Sequence, residues 1–217
     1  MSGSAIETTT MARKPPTPPV PRPRHVCQLL IVLANTNPLV WRRIQVPETY
    51  SFWDLHVAIQ DAMGWQDYHL HECEVIDSKT DRLKRIGIPD DDRPRERPCA
   101  AGWKVPIARY FTYGVRPVRY RYDFGDAWEH TLAFEELVPD DGGAYPRCVA
   151  GAGKCPPDDV GGTHGYAEFL RTIRDVSNPE RDSMLRWAGG QFDPEAFRAA
   201  DIRFEDLKER WRIAFTT

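Results

Sequence analysis

A β-hairpin pattern lies near the middle of the chain, in the sequence VRYRYDFGDAWEHTLAFEEL at residues 118–137. Aromatic and β-branched residues fill both arms, and residues 125–127 have the composition of a turn. A three-residue loop would place Phe124 opposite Trp128 and gather the large apolar side chains on one face. We therefore predict an antiparallel pair of strands with this register.

The same register would concentrate charge on the other face of the hairpin. Asp123 and Glu129 would become cross-strand neighbours, with Asp126 at the loop tip. Like charges placed opposite each other repel, so they need a cation, a raised pKa or ample water. The three acids are therefore candidate catalytic residues of a metal or acid/base site. The alternative is a solvated face on which Arg119 and Arg121 balance the acids.

Strand and helix patterns surround this hairpin and predict the fold class. Runs at 26–34 and 39–46, separated by an Asn-Thr-Asn-Pro turn, predict a first hairpin. A helix should follow, because Ser51 begins a capping-box pattern with helical apolar spacing that ends at Gly64. The last third of the chain has helical periodicity. Strands first and helices later predict an α+β domain with a mostly antiparallel sheet.

The N-terminal segment differs in composition from the rest of the 217-residue chain. Six of the 19 prolines lie between positions 15 and 23, and apolar side chains are scarce there. Such a segment cannot offset its ordering entropy by burial, so residues 1–25 are predicted to be a disordered proline-rich tail. Its PxxP spacing suits a proline-reading module, and a solvated extension is the alternative. Residues 26–217 are predicted to form one domain.

The overall charge is close to balance, and the two signs are segregated along the chain. The formal net charge of -3 disfavours broad, non-specific binding to duplex DNA. Residues 97–122 nevertheless hold basic residues interleaved with aromatics, a composition typical of single-strand nucleic-acid platforms. Residues 123–146 are acidic, and mutual neutralisation of the two blocks is the alternative. The candidate nucleic-acid-binding residues are Arg109, Arg116, Arg119 and Arg121.

Two histidines are candidate metal ligands. On a strand predicted at 70–77, the period of two places His69, His71 and Cys73 on one face. A His-x-His pair on a strand is a two-ligand platform for zinc or iron, although no third ligand is evident. The alternative is that the two histidines occur at this spacing by chance.

Two cysteines in a glycine-rich segment are further candidate ligands. Cys148 and Cys155 are separated by six residues, which is wider than the usual spacing of a structural zinc site. Asp158, Asp159 and His164 follow them. Zinc binding, a labile disulfide and two free thiols are the alternatives here. If the protein binds a metal, zinc is the ion that we expect.

The chain has features of a cytoplasmic protein. No run approaches the ~18 apolar residues that span a membrane. The N-terminus lacks the apolar segment of a secretory signal. The five cysteines are widely spaced, so free thiols in a reducing compartment are expected.

Several stretches, in this order along the chain, carry a family resemblance. They are PLVWRRI (38–44), DLH (54–56), AMGW (62–65), HLHE (69–72), YDFGD (122–126), WEH (128–130), PRC (146–148), CPPDDVGG (155–162) and FDPEAF (192–197). Together they resemble the plasmid pRiA4b ORF-3-like family, whose members also occur as passenger proteins of insertion elements. The resemblance covers roughly residues 26–200 and implies a compact α+β domain without naming a reaction. Some members carry a resolvase-type label, but this sequence shows no recombinase signature.

These features lead to two hypotheses about function. The first is a non-catalytic accessory module that binds a protein or nucleic-acid partner through the surface from Arg109 to Arg121. The alternative is a metal-dependent hydrolase or nuclease that uses Asp123, Asp126 and Glu129, either alone or with His69 and His71.

Overall fold

One eight-stranded sheet organises the protein in the computed structural model, which describes residues 25–89 and 98–215. The strands lie in the order β5-β4-β3-β6-β7-β1-β2-β8, and every pairing is antiparallel except that of β4 with β5. This architecture confirms the predicted α+β class. The strands are β1 (His25–Leu33), β2 (Val40–Pro47), β3 (His71–Asp77), β4 (Arg82–Gly87), β5 (Cys99–Ala101), β6 (Val118–Tyr122), β7 (Trp128–Pro139) and β8 (Arg147–Ala152).

The predicted tail, residues 1–25, lies outside the described residues except for its last member. That residue, His25, is the first residue of β1.

The first hairpin and the helix after it form as the sequence pattern predicts. β1 pairs with β2, and α1 (Phe52–Met63) follows directly. Ser51 and Asp54 make a reciprocal capping box, which satisfies two backbone donors at the start of α1. Gly64 ends the helix with a φ of 84°, a left-handed conformation that glycine adopts without steric cost. The apolar stripe of α1 is buried in the same hydrophobic core as the strands.

The central hairpin forms with a different register from the predicted one. Tyr122 lies opposite Trp128 in the β6–β7 pair, so the loop has five residues, 123–127, instead of three. The predicted pairing of Phe124 with Trp128 is therefore wrong, and Phe124 is exposed. A shift of two residues preserves which side chains share a face, because side chains alternate with a period of two.

The longer loop separates the two acids that were predicted to be cross-strand neighbours. Asp123 leaves the strand with a φ of 53°, a left-handed conformation that aspartate tolerates better than most residues. Its Oδ1 accepts the N–H of Gly125 at 2.8 Å, which closes an Asx turn. Glu129 pairs with Arg121 across the ladder instead.

The C-terminal part is helical, as predicted, and it begins after a strand that the sequence did not reveal. The glycine-rich segment predicted as a loop contains β8, which pairs with β2 at the sheet edge. Residues 153–161 then lead into α2 (Gly162–Arg174), followed by α3 (Arg181–Trp187) and α4 (Leu207–Phe215). None of the helices in the described ranges is long and apolar enough to cross a membrane.

Candidate metal centre

Three loops meet at one end of the sheet, where β6 ends and β3 begins. They bring together His69, Asp123 and Asp159. Nε2 of His69 lies 3.0 Å from Oδ1 of Asp159 and 3.6 Å from Oδ2 of Asp123. Within residues 25–89 and 98–215, this is the only group of three or more His, Cys, Asp or Glu side chains with ligand atoms close enough for one metal ion.

The spacing of these atoms suits a divalent cation. Zinc binds imidazole nitrogen and carboxylate oxygen at about 2.0–2.2 Å, so neighbouring ligands in a tetrahedral site lie about 3.4 Å apart. The two separations from His69 lie on either side of that value, and all three ligand atoms lie within 4.8 Å of one another. Small side-chain movements would therefore complete a three-ligand site.

Strand pairing positions Asp123 beside His69. His71 pairs with Tyr122 at the end of the β3–β6 ladder, and the N–H of Asp123 extends the ladder by donating to the carbonyl of Leu70 at 3.0 Å. Because Oδ1 of Asp123 closes the Asx turn, Oδ2 is the oxygen directed toward His69. The sequence YDFGD thus sets both the turn and the ligand.

Asp126 holds the loop that carries Asp159. Oδ2 of Asp126 accepts the N–H of Gly161 at 3.0 Å. The following residue, Gly162, approaches so closely that a Cβ atom there would lie 2.3 Å from the backbone oxygen of Asp126. Only glycine fits this contact, which explains one of the two glycines after Asp159. Asp126 is therefore a positioning residue.

Asp158 makes a second connection between this loop and the segment before His69. Its Oδ2 accepts the N–H of Gln66 at 3.1 Å. Burial raises the pKa of Asp158, and the neighbouring Asp159 carboxylate acts in the same direction. The loop that carries Asp159 is thus hydrogen-bonded both to the segment before His69 and to the loop after β6.

Aromatic rings pack against His69. The His69 ring meets the ring of Tyr122 edge-on, with centroids 5.9 Å apart. Trp65 in turn stacks on Tyr122, with the two ring centroids 5.1 Å apart. The indole Nε1 of Trp65 donates to the carbonyl of Pro156 at 3.0 Å, which connects these aromatic rings to the loop of Asp159.

The structure does not bring His69 and His71 to the common strand face that was predicted. β3 begins only at His71, and His69 lies in the preceding loop. His71 is buried and stacks on His56, with ring centroids 3.4 Å apart. Burial holds the pKa of His71 well below its usual value, and the nearby His56 adds to this effect.

The cysteine pair lies outside the cluster. Cys148 and Cys155 are both free thiols, and neither belongs to a group of described residues that could share a metal ion. Sγ of Cys148 contacts the carbonyl of Ala150 at 3.4 Å, and Cys155 is buried. Burial raises the pKa of both thiols, which favours the inert, protonated form.

The predicted arginine surface is largely neutralised by acids. Arg109 pairs with Asp77 at 3.1 Å, and Arg116 lies 3.9 Å from Asp81. Arg119 pairs with two carboxylates, those of Glu74 and Glu129, and Arg121 lies over the Phe124 ring with its guanidinium carbon 5.4 Å from the ring centroid. Glu129 therefore belongs to this ion-pair network, and it lies outside the group of possible ligands that includes Asp123.

Sequence reasoning identified two of the three clustered residues, Asp123 as a catalytic candidate and His69 as a metal ligand, and it combined them only in the hydrolase hypothesis. It treated Asp159 only as a neighbour of the cysteines. The signal that could have found Asp159 was the DDVGG sequence at 158–162, whose paired acids precede two glycines, the second of which is required by a close approach.

Comparisons with known proteins agree with the resemblance seen in the sequence. The family model described as plasmid pRiA4b ORF-3-like protein matches residues 25–201. The uncharacterized protein y4hQ of Sinorhizobium fredii is 33% identical over 189 residues, which cover 86% of this chain and 94% of that protein. The crystal structure of MM3350, a protein of unknown function from Methanosarcina mazei, is similar with a TM-score of 0.77 and 40% identity, covering 83% of this chain and 98% of that chain. The chain therefore belongs to the plasmid pRiA4b ORF-3-like protein family.

Proposed function

We propose that the protein binds a divalent cation, zinc in the first instance, through His69, Asp123 and Asp159, and that it acts as a metal-dependent hydrolase. The observation that carries this proposal is the convergence of one imidazole nitrogen and two carboxylate oxygens from three loops. The hydrogen bonds of Asp126 and Asp158 fix the loop of Asp159, so the backbone that carries this ligand is held in place before any ion binds.

The number and exposure of the ligands favour a catalytic type of site over a structural one. Structural zinc sites are closed by four protein ligands, whereas catalytic sites use three and leave a position for water or substrate. The side chains of His69 and Asp159 are 33% and 65% exposed, so both can reach solvent. A cation held in this way supplies Lewis-acid activation of water and of a carbonyl or phosphoryl group.

Exposed apolar side chains lie next to the cluster and offer a surface for a substrate. Tyr68 and Leu70 flank His69 in sequence, and Phe124 follows Asp123. All three are exposed, although large apolar side chains are usually buried. Apolar side chains around a few convergent polar groups are typical of small-molecule sites.

The accessory nucleic-acid-binding hypothesis receives less support from the structure. Phosphate contacts require available basic side chains. Three of the four arginines predicted for that role are ion-paired with Asp77, Asp81, Glu74 or Glu129. The metal site is therefore the better-supported alternative of the two.

A zinc titration tests the site. Isothermal titration calorimetry of metal-free protein should show one zinc per chain. The Asp159→Asn variant should bind at least about 100-fold more weakly, because removal of a ligand should exceed the 10–100-fold effect of a supporting residue. His164→Gln is the matched control, since His164 follows on α2 outside the cluster. Equal affinity for zinc in the wild type and Asp159→Asn would contradict the assigned ligands.

A separate assay tests the reaction class. We expect zinc-dependent turnover of at least one of p-nitrophenyl phosphate, bis(p-nitrophenyl) phosphate and p-nitrophenyl acetate. Asp159→Asn should lose this turnover while it melts at the wild-type temperature. If zinc binds and none of the three is hydrolysed, the metal site stands and the hydrolase assignment does not.

A further inference from the structure

Strand β2 carries a buried arginine that has no carboxylate partner among the described residues. Arg42 is only 2% exposed. Its Nε donates to the carbonyl of Ala62 at 2.9 Å, and its Nη1 donates to those of Trp41 and Ala152 at 2.8 and 2.9 Å. No carboxylate of the described residues lies within 4.0 Å of it, although buried charges are normally paired.

The remaining donor of Arg42 faces a cavity. The guanidinium lines a cavity of about 490 Å³ and lies 4.2 Å from the centroid of the Phe197 ring. Since Nε and Nη1 are bound to backbone carbonyls, Nη2 is the donor left for a ligand. Arginine presents its donors in a planar fork that matches carboxylate and phosphate oxygens.

A second cation lines the same cavity and is also without an acidic partner. Nζ of Lys154 lies 4.7 Å from the centroid of the Phe192 ring, and no described carboxylate lies within 4.0 Å of it. The acids of the cavity are engaged elsewhere. Asp158 accepts the N–H of Gln66, and Asp201 lies 3.8 Å from Arg198. Arg42 and Lys154 therefore face one open cavity, and neither has a carboxylate of the described residues within 4.0 Å.

The remaining wall of the cavity is apolar. Trp65, Phe192 and Phe197 line it together with Pro156 and Pro157. Aromatic walls with a few placed charges suit a small molecule that has an apolar body and a charged end. A purely inorganic anion would leave this apolar surface unused.

We infer that this cavity binds an organic anion, a carboxylate or phosphate ester with an aromatic or aliphatic body, whose charged end lies against Arg42 and Lys154. The inference goes beyond the proposed metal site and stands without it. Asp158 lines the cavity and precedes Asp159 in sequence, so the cavity and the cluster share one loop.

Binding of defined probes to metal-free protein tests this inference. Phenyl phosphate, benzoate and benzyl alcohol share an aromatic ring and differ in their charged group. Calorimetry should show that at least one of the two anions binds about tenfold or more tightly than the neutral alcohol, the scale of one charge-assisted hydrogen bond. Preference for phenyl phosphate would identify phosphate esters as the ligand class, and preference for benzoate would identify carboxylates.

Variants locate the site in the cavity. Lys154→Met should weaken binding of the preferred anion by about tenfold, and Lys104→Met should leave it unchanged, because Lys104 is an exposed lysine outside the cavity. Arg42→Met should weaken binding further. Because Arg42→Met also removes three hydrogen bonds to backbone carbonyls, this variant could fail to fold. Lys154→Met is therefore the deciding variant. Equal binding of the anions and the alcohol, or an unchanged affinity in Lys154→Met, would overturn the inference. Neither result depends on zinc.

Discussion

His69 and His71 are two residues apart, yet they lie in opposite environments. His69 stands in the loop before β3, one-third exposed, with two carboxylates at 3.0 and 3.6 Å. His71 begins β3, is 3% exposed, and stacks on His56 among the rings of the sheet interior. The difference shows that the point at which the strand begins decides which histidine meets solvent and acids, and which one becomes part of the core.

The interior region is unusual in its polar content. Tyr120 is fully buried, and its hydroxyl lies 2.8 Å from both Nδ1 of His56 and Nε2 of Gln60. Both ring nitrogens of His130 and Nδ1 of His71 are buried with no hydrogen-bond partner among the described residues. This interior resembles a packed aromatic core with polar atoms in it, whereas the sheet end has the open arrangement of a binding site.

The largest expected effect concerns metal affinity at the sheet end. His69→Gln should weaken zinc binding at least about 100-fold, because an amide is a poor substitute for the imidazole ligand. His71→Gln should leave zinc affinity unchanged, since His71 lies outside the cluster. Calorimetric titration of both variants makes the comparison. A similar loss of zinc affinity in both variants would mean that both histidines bind the metal, which would contradict the assignment of His71 to the core.

The next effect is on stability, and it should appear in the interior alone. His71→Ala removes a buried ring that stacks on His56, so the free energy of unfolding should fall by about 3 kcal/mol. His69→Ala should change it by less than about 1 kcal/mol, because the ring is one-third exposed and its ion pairs are open to solvent. Urea denaturation followed by circular dichroism measures both values. A larger loss in His69→Ala would reverse the proposed roles.

The interior should also respond to pH. Burial lowers the pKa of His130 from its usual 6.5 to about 3, so protonation favours the unfolded chain as the pH falls below 6.5. Between pH 7 and pH 5, this histidine should reduce the free energy of unfolding by about 2 kcal/mol. The free energy of unfolding of His130→Leu should therefore fall by about 2 kcal/mol less than that of the wild type over the same pH interval. Identical pH dependence in the two proteins would show that His130 is not buried in its neutral form.

The smallest effect defines the border of the sheet-end site. Tyr68 precedes His69 and is 74% exposed. Tyr68→Ala should therefore change the free energy of unfolding by less than about 0.5 kcal/mol and zinc affinity by less than about twofold. Denaturation and titration on one preparation check both quantities. A large loss of zinc affinity would extend the site beyond its three ligands.

Local patterns were sufficient to predict five of the eight strands and the first helix. The helix after the first hairpin follows from its capping box at Ser51 and its terminal Gly64, both of which are short-range features. The strand β8 escaped prediction because its glycine-rich sequence resembles a loop, and its stability as a strand comes from pairing with β2. The strand propensity of residues 147–152 alone does not indicate that they pair with β2.

The cluster was harder to predict because it depends on contacts between distant segments. The five-residue loop after β6 requires left-handed backbone at Asp123 and Ala127, a conformation that the apolar pattern of the hairpin does not indicate. Asp159 reaches His69 across 90 residues of sequence, through the contacts of Asp126 and Asp158. Such convergence becomes visible only when the sheet is assembled.

Anomalous diffraction from crystals of the zinc-loaded protein tests the central claim most directly. Data collected at the zinc absorption edge should show a single peak per chain about 2.0–2.2 Å from Nε2 of His69 and from one carboxylate oxygen each of Asp123 and Asp159. A peak bound instead by Cys148 or Cys155, or no peak at the three side chains, would contradict the account.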